Sequence, residues 1–417
     1  MTLKTLKKEF QLSVYNSKFV KQTGILFGSQ IAVLLFGVLI KILQTRSLSP
    51  EEYGTYAFFG SLISFLVIFY RFGFFTSIKV LLANTIDTVR SRELIGTGLI
   101  IALLIGISFS LTIIGLSFFV DSLFNVEIGK ILLIISPLCF VLPFKMFVRE
   151  VGIGANQVKP VAIFDVIASS LFLTIISLFY FFGELTILSL IIYNLLSFIT
   201  ALVLATVQLK PIFNNIGLYT KEIIQKNREY GWHYYTGAIA NQTTFKLDEL
   251  FITYFVNVSQ LGFYTLANMI CSPMSIMSGA ISKSMFKKMA SLEKIPRKLF
   301  IYNSFWLVVC VLGLYLIGEY IVSFLFGAEY GEVALLIIPL SIAHFFQGLS
   351  APFAFLSAKS MGKEIRNVAF AEGAVNVIGN IILVPLHGVY GAIIASILAR
   401  FVHYICLAYY YRNYTKS

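Results

Sequence analysis

The sequence predicts an all-α integral membrane protein with about twelve transmembrane helices. Three observations carry that prediction. Of 417 residues, 58% are hydrophobic and only 12% are charged, against about 25% charged in soluble chains. Twelve apolar stretches are long enough to cross a hydrocarbon core about 30 Å thick. Lys and Arg also concentrate in alternate connections, as the positive-inside rule requires.

The first stretch, 1–21, is basic and amphipathic. Leu3, Leu6, Phe10 and Val14 recur at helical spacing beside Lys4, Lys7, Lys8 and Lys18, the pattern of a helix lying on the cytoplasmic surface. No small-residue cleavage site follows its apolar run, so it does not read as a removable signal peptide. Spans are then expected near 22–45, 53–78, 94–120, 129–152, 160–182 and 186–209. A polar linker, 210–230, separates them from spans near 231–256, 262–285, 299–326, 333–358, 365–386 and 389–411, and a short tail, 413–417, closes the chain. With the amino terminus inside, only Arg46 and Lys130 fall in outer connections. Lys41, Arg71, Lys246 and Arg400 fall within spans, and the remaining Lys and Arg lie on the cytoplasmic side. Both termini are therefore expected in the cytoplasm.

A faint internal repeat divides the chain into two six-helix bundles, 22–209 and 231–412. Leu48–Ala57 follows the first span and Val258–Ala267 the seventh. Each carries Gly-x-Tyr at the junction, with Gly54 and Gly262 about half the chain length apart. Six spans per half gives both halves one orientation, so the expected relation is a parallel repeat around a central cleft.

The basic balance, 32 Lys and Arg against 20 Asp and Glu, finds its explanation in the positive-inside bias. No basic, aromatic-interleaved run stands in a soluble segment, so no nucleic-acid partner is expected. Cys139, Cys271, Cys310 and Cys406 all sit in apolar stretches, and no His or Cys stands at a metal-ligand spacing, so neither disulfides nor a metal site are expected. His344 reads as a packed polar residue. No Gly-rich phosphate loop points to ATP, and no loop is large enough for a catalytic domain. The protein is not expected to be an enzyme.

The charged run Thr244–Leu250 stands out. At about 1.5 Å per residue, Lys246 lies roughly 20 Å into the seventh span. Lys246 and Glu249 are three apart and share a helix face, whereas Asp248 points elsewhere and needs another partner. Intramembrane charges are costly and mark substrate or ion pathways unless they only balance one another. Prolines interrupt several spans (Pro137, Pro143, Pro273, Pro339, Pro352), where they free carbonyls and bend helices. Asn241, Gln242, Asn268, Gln347, Asn376 and Asn380 offer hydrogen bonds to sugar hydroxyls or between helices.

Four segments carry a family resemblance. They are Arg46–Tyr56; Asp248 with Gly262-Phe263-Tyr264; Phe326-Gly327-Ala328-Glu329-Tyr330; and Asn376, Asn380 and Ile381–Pro385 with Gly388–Ala392. In these the chain resembles the O-antigen and capsule flippases of the multidrug/oligosaccharidyl-lipid/polysaccharide (MOP) exporter superfamily, along essentially its whole length. The resemblance implies a MATE-like fold. It also implies transfer of an undecaprenyl-diphosphate-linked glycan from the cytoplasmic to the outer leaflet of a bacterial inner membrane, with a polysaccharide polymerase and chain-length regulator as possible partners.

A diphosphate crossing the bilayer needs cations along its path. Lys246, Arg400, Arg71 and Lys41 are the intramembrane cations, and Arg149, beside Lys145 and Glu150, stands at the cytoplasmic end of span four. These are the expected substrate-binding residues. Arg400 could instead pair with Glu372. Asp248, Glu249 and Glu372 are the candidates for H⁺ or Na⁺ coupling; Asp165 lies near the inner interface. No other cofactor is expected. Two alternatives stand beside this reading. An ion-coupled multidrug antiporter of the same superfamily would favour a more acidic cleft. A membrane polysaccharide polymerase would need a substantial outer loop.

Overall fold

The computed structural model describes residues 17–359 and 361–416; the amphipathic stretch through residue 16 lies outside them. The described chain is all helical. In order, the first helices are α1 Ser17–Ser47, α2 Pro50–Phe69, α3 Phe74–Ala83, α4 Thr88–Ser117, α5 Val120–Phe124, α6 Gly129–Ile135, α7 Phe144–Gly154, α8 Val158–Phe182, α9 Ile187–Leu209 and α10 Ile216–Lys226. There follow α11 Trp232–Phe255, α12 Val258–Ser284, α13 Phe286–Ser291, α14 Arg297–Phe326, α15 Glu332–Ser350, α16 Ala354–Ala358, α17 Gly362–His387 and α18 Val389–Lys416.

Ten stretches among the described residues are long and apolar enough to cross a membrane. The expected seventh and eighth spans, α11 and α12, are helices of 24 and 27 residues. They have the length to span and are not among the ten apolar stretches; α11 carries Lys246, Asp248 and Glu249. Large apolar side chains such as Leu104, Leu111, Phe305, Leu316 and Phe324 are exposed along the helices. A bilayer covers such a surface without loss, because each helix bonds its own backbone internally. The protein is a multi-pass membrane protein.

Local chemistry sets the helix ends. Pro50 opens α2, and Ser49 and Glu52 close a reciprocal capping box: the Ser49 amide donates to Glu52 Oε2 (2.9 Å) and the Glu52 amide to Ser49 Oγ (3.3 Å). Asp87 caps α4 through the Val89 amide (2.8 Å). Thr186 and Ser189 cap α9 in the same reciprocal way. The expected second span is two helices, α2 and α3, because the chain turns through Phe72 and Gly73 at φ of 44° and 78°, a region glycine enters freely. Pro137 and Pro143 divide the fourth span into α6, a 3₁₀ turn and α7, and Pro352 sits in the 3₁₀ turn after α15. Pro273 and Pro339 lie inside continuous helices.

Contacts group the chain into two compact units that interleave along the sequence. The first takes the chain through Ser47, Phe69–Phe119 and Gly129–Gly237. The second takes Leu48–Ile68, Val120–Ile128 and the chain from Ala238 on, so α2 and α5 group with the later helices although both precede residue 210.

In the first unit, Phe75, Phe144 and Phe147 pack edge to face in the core. α10, in the linker, is held to the start of α4: Tyr219 donates to Glu93 Oε2 (2.8 Å), Asn215 to Glu93 Oε1 (3.2 Å), and Arg90 pairs with Glu222 (2.5 Å).

In the second unit, three of the four family-like segments converge on Tyr330. Its hydroxyl donates to the Leu48 carbonyl (2.8 Å), and its ring meets Tyr53 and Phe263 edge to face. The two Gly-x-Tyr glycines face each other there. A Cβ on Gly54 would fall 2.1 Å from the Val258 carbonyl oxygen, and one on Gly262 3.1 Å from the Gly54 Cα. Only glycine lets α2 and the start of α12 approach so closely. A separate apolar cluster joins Met289, Phe353, Phe355, Leu356, Val368 and Leu407.

Candidate functional site

The charged run of α11 splits between two faces. On one, Lys246 Nζ donates to both Glu249 oxygens at 3.0 Å, the pair that i, i+3 spacing allows. The Lys246 side chain keeps 35% of its surface exposed and Glu249 13%. On the other face Asp248 is buried among α12, α17 and α18. Asn380 Nδ2 donates to Asp248 Oδ1 (2.7 Å), Ser396 Oγ to Oδ2 (2.6 Å), and the Tyr264 hydroxyl to Oδ2 (3.4 Å). Asn376, one turn before Asn380, also interacts with this carboxylate. All five residues are buried.

The helices place these groups for identifiable reasons. Asn376 and Asn380 are four apart and share a face of α17; the Asn380 amide also donates to the Asn376 carbonyl (2.8 Å). The small pair Gly379 and Ala395 lets α17 and α18 close: a Cβ on Gly379 would lie 2.9 Å from that of Ala395. That approach brings Ser396 within reach of the carboxylate.

The amide oxygens of Asn376 and Asn380 are buried without a hydrogen-bond partner. They stand on residues that interact with the Asp248 carboxylate, and the atoms that Asp248, Asn376, Asn380 and Ser396 can offer a cation are all oxygens. Such a set fits a proton or a hard monovalent cation such as Na⁺ and suits no soft transition metal. Among the described residues there is no group of three or more His, Cys, Asp or Glu able to hold a metal ion.

Arg400 lies one turn beyond Ser396 on α18. It acts electrostatically on Asp248, Tyr264, Cys271 and His344, and its Nη1 is buried without a hydrogen-bond partner. The Arg400–Glu372 pairing weighed from the sequence gives way to another: Glu372 Oε2 lies 2.6 Å from His403 Nδ1. Glu372 and Arg400 thus belong to separate contacts. His344 is 3% exposed, with Nδ1 3.0 Å from Ser275 Oγ and Nε2 2.9 Å from Asn268 Oδ1.

The other expected cations lie in the first unit. Lys41 is half-buried on α1. Arg71 sits in the turn between α2 and α3, where it acts electrostatically on Glu150, Tyr234 and Arg149. Lys79 closes the group by pairing with Glu150 at 2.6 Å. The side chains of Asn241 and Gln242 lie outside the described residues.

Sequence reasoning singled out Asp248, Asn376 and Asn380, and Tyr264 within a family-like segment, but passed over Ser396, His403 and Lys79 as site residues. For Ser396 a signal existed: it stands four before Arg400, on the same face of the same helix. His403 and Lys79 gave none, because their partners lie on other helices far along the chain.

Comparison with known proteins bears on this arrangement. The family described as "Polysaccharide biosynthesis protein" matches residues 19–286. No curated protein sequence matches. Among solved structures, the lipid II flippase MurJ in an inward closed conformation superposes with a TM-score of 0.68 at 17% identity, covering 94% of this chain and 87% of that one. A MATE-family multidrug resistance transporter of the MOP superfamily, inward-facing, gives 0.71 at 14% identity, covering 92% and 96%. A MOP superfamily transporter from Pyrococcus furiosus gives 0.59 at 13% identity, covering 95% and 97%. The fold is thus the one shared by MurJ and the MATE transporters, and the chain belongs to the polysaccharide biosynthesis protein family.

Proposed function

We propose that the protein is a flippase for lipid-linked oligosaccharides. It moves undecaprenyl-diphosphate-linked repeat units from the cytoplasmic to the outer leaflet of a bacterial inner membrane, by alternating access, for O-antigen, capsule or a related polysaccharide. Both termini face the cytoplasm in this reading, and a polymerase and a chain-length regulator act on the product. Family membership supports the polysaccharide context. The observation that carries the transport reading is the cluster around Asp248. A buried carboxylate, two unpartnered amide oxygens and an unpartnered guanidinium N–H are expensive inside membrane helices, and such groups mark ion or substrate pathways.

Each residue then has a part. Asp248, with Asn376, Asn380 and Ser396, takes up the proton or Na⁺ whose gradient drives the cycle. Arg400, Lys246, Arg71, Lys41 and Arg149 offset the diphosphate charge. Glu249, bonded to Lys246, and Glu372, beside His403, are the further candidates for ion coupling.

Complementation of a flippase-null bacterium tests this, with wild type, Arg400→Ala and Lys246→Ala at matched protein levels. Surface glycan is read against lipid-linked units stranded on the cytoplasmic face. Wild type restoring glycan while Arg400→Ala strands precursor is the expected result. Full export by both variants removes the cations from the path. The buried carboxylate also suits a second reading, an ion-coupled multidrug antiporter. A wild type that restores no glycan but lowers drug sensitivity would favour it.

A further inference from the structure

The cationic end of the first unit carries an arrangement that charge balance alone does not explain. The chain between α10 and α11 winds as a π-helix over Asn227–Gly231, a geometry often found at functional positions. It is pinned to the α2–α3 turn. Asn227 Nδ2 donates to the Phe72 carbonyl (3.1 Å), Ser77 Oγ donates to Asn227 Oδ1 (3.2 Å), and the Tyr235 hydroxyl donates to the Phe69 carbonyl (2.7 Å). Gly73 and Gly231 touch backbone to backbone; a Cβ on Gly73 would fall 2.4 Å from the Gly231 carbonyl carbon.

This clamp fixes two aromatic rings beside the cations. Tyr230 and Tyr234 are four apart and stack at 6.2 Å with 22° between their planes. They remain 43% and 50% exposed. Lys79 Nζ stands 5.9 Å from the centre of the Tyr234 ring and also pairs with Glu150. Arg71 acts on Tyr234, Glu150 and Arg149, and its Nε is buried without a hydrogen-bond partner. Lys79 and Arg71 thus share one carboxylate, Glu150, and Arg149 adds a further positive charge beside Arg71, so cations outnumber carboxylates in this group, as a phosphate ligand requires.

We propose that Tyr230 and Tyr234, with Lys79, Arg71 and Arg149, form a capture site for a glycosyl diphosphate: the cations hold the diphosphate and the stacked tyrosines take the face of the first sugar ring. The proposal rests on the flippase reading above and extends it by naming where the sugar is first recognised. Tyrosine suits this task. Its rigid ring presents apolar area to the C–H face of a pyranose with little rotamer entropy to lose. Positive-inside charge and an interfacial belt bring Lys, Arg and Tyr to the same end of a helix; the backbone clamp, the stacked ring pair and the buried, unpartnered Arg71 Nε are what set this corner apart.

Titration calorimetry on the full-length protein in lipid nanodiscs tests it with two probes, farnesyl diphosphate and the same lipid carrying N-acetylglucosamine on its diphosphate. Tyr234→Ala should weaken the sugar-bearing probe about tenfold and leave farnesyl diphosphate unchanged. Tyr234→Phe should bind both like wild type. Lys79→Ala and Arg71→Gln should weaken both probes about equally. Equal losses for both probes in Tyr234→Ala, or no loss in either, would overturn the aromatic role while leaving the flippase reading intact. A wild type that binds neither probe would instead bring down the flippase reading itself.

Discussion

The two faces of α11 treat charge in opposite ways. Lys246 and Glu249 satisfy each other within one turn of their own helix and stay partly exposed. Asp248, between them in sequence, has no side-chain partner on α11 among the described residues. It takes its donors from α12, α17 and α18 and is 4% exposed. Neighbours in sequence thus differ in what holds them. One contact is local and survives wherever the helix forms. The other exists only when four helices have packed, and it binds those helices together. The difference teaches that depth in a membrane helix does not by itself identify a functional charge; the face decides.

Substitutions on the two faces sharpen that contrast. Asp248→Ala has the largest expected effect. It strands the buried amide of Asn380 and the hydroxyls of Ser396 and Tyr264, each at about 1–3 kcal/mol, and should abolish glycan export and lower the melting temperature of the detergent-solubilised protein by many degrees. Asp248→Asn, nearly the same shape, should keep most of the melting temperature and still lose export. Equal melting losses in both variants would make Asp248 a structural group and break its assignment to ion coupling. Ser396→Ala comes next: it removes one hydrogen bond to a charged group, about 1.5–3 kcal/mol, and should weaken export without abolishing it. The smallest effect belongs to the other face. A double-mutant cycle on Lys246→Ala and Glu249→Ala, read by thermal unfolding, should give a coupling below about 1 kcal/mol, as for other partly exposed or interhelical polar pairs. A larger coupling would erase the distinction between the faces.

Other parts of the molecule show how far the sequence reached. The helices, the caps at Ser49 and Thr186, and the breaks at Pro137, Pro143 and Pro352 follow from residues close together in the chain. The family-like segments were visible as words but not as contacts. Nothing in Gly54, Phe263 and Tyr330 announces that they meet at one corner, or that the Tyr330 hydroxyl reaches Leu48. The alternative weighed for Glu372 met the same limit: Arg400 and His403 are three apart on α18, and only the rotation of α18 against α17 puts His403 at the carboxylate.

The sequence by itself determined the class of the protein. Hydrophobic length, charge asymmetry and the absence of large loops are one-dimensional quantities, and in a bilayer they dictate helices, because every backbone group must be satisfied within its own segment. The site was decided by tertiary structure. Asp248, Asn376, Asn380 and Ser396, and likewise Arg71, Lys79, Arg149 and Tyr234, are scattered along the chain and come together only through helix packing. That packing turns on which small residues let two backbones close and on how each helix is rotated about its axis, and a helical period read from one segment carries no information about its neighbour.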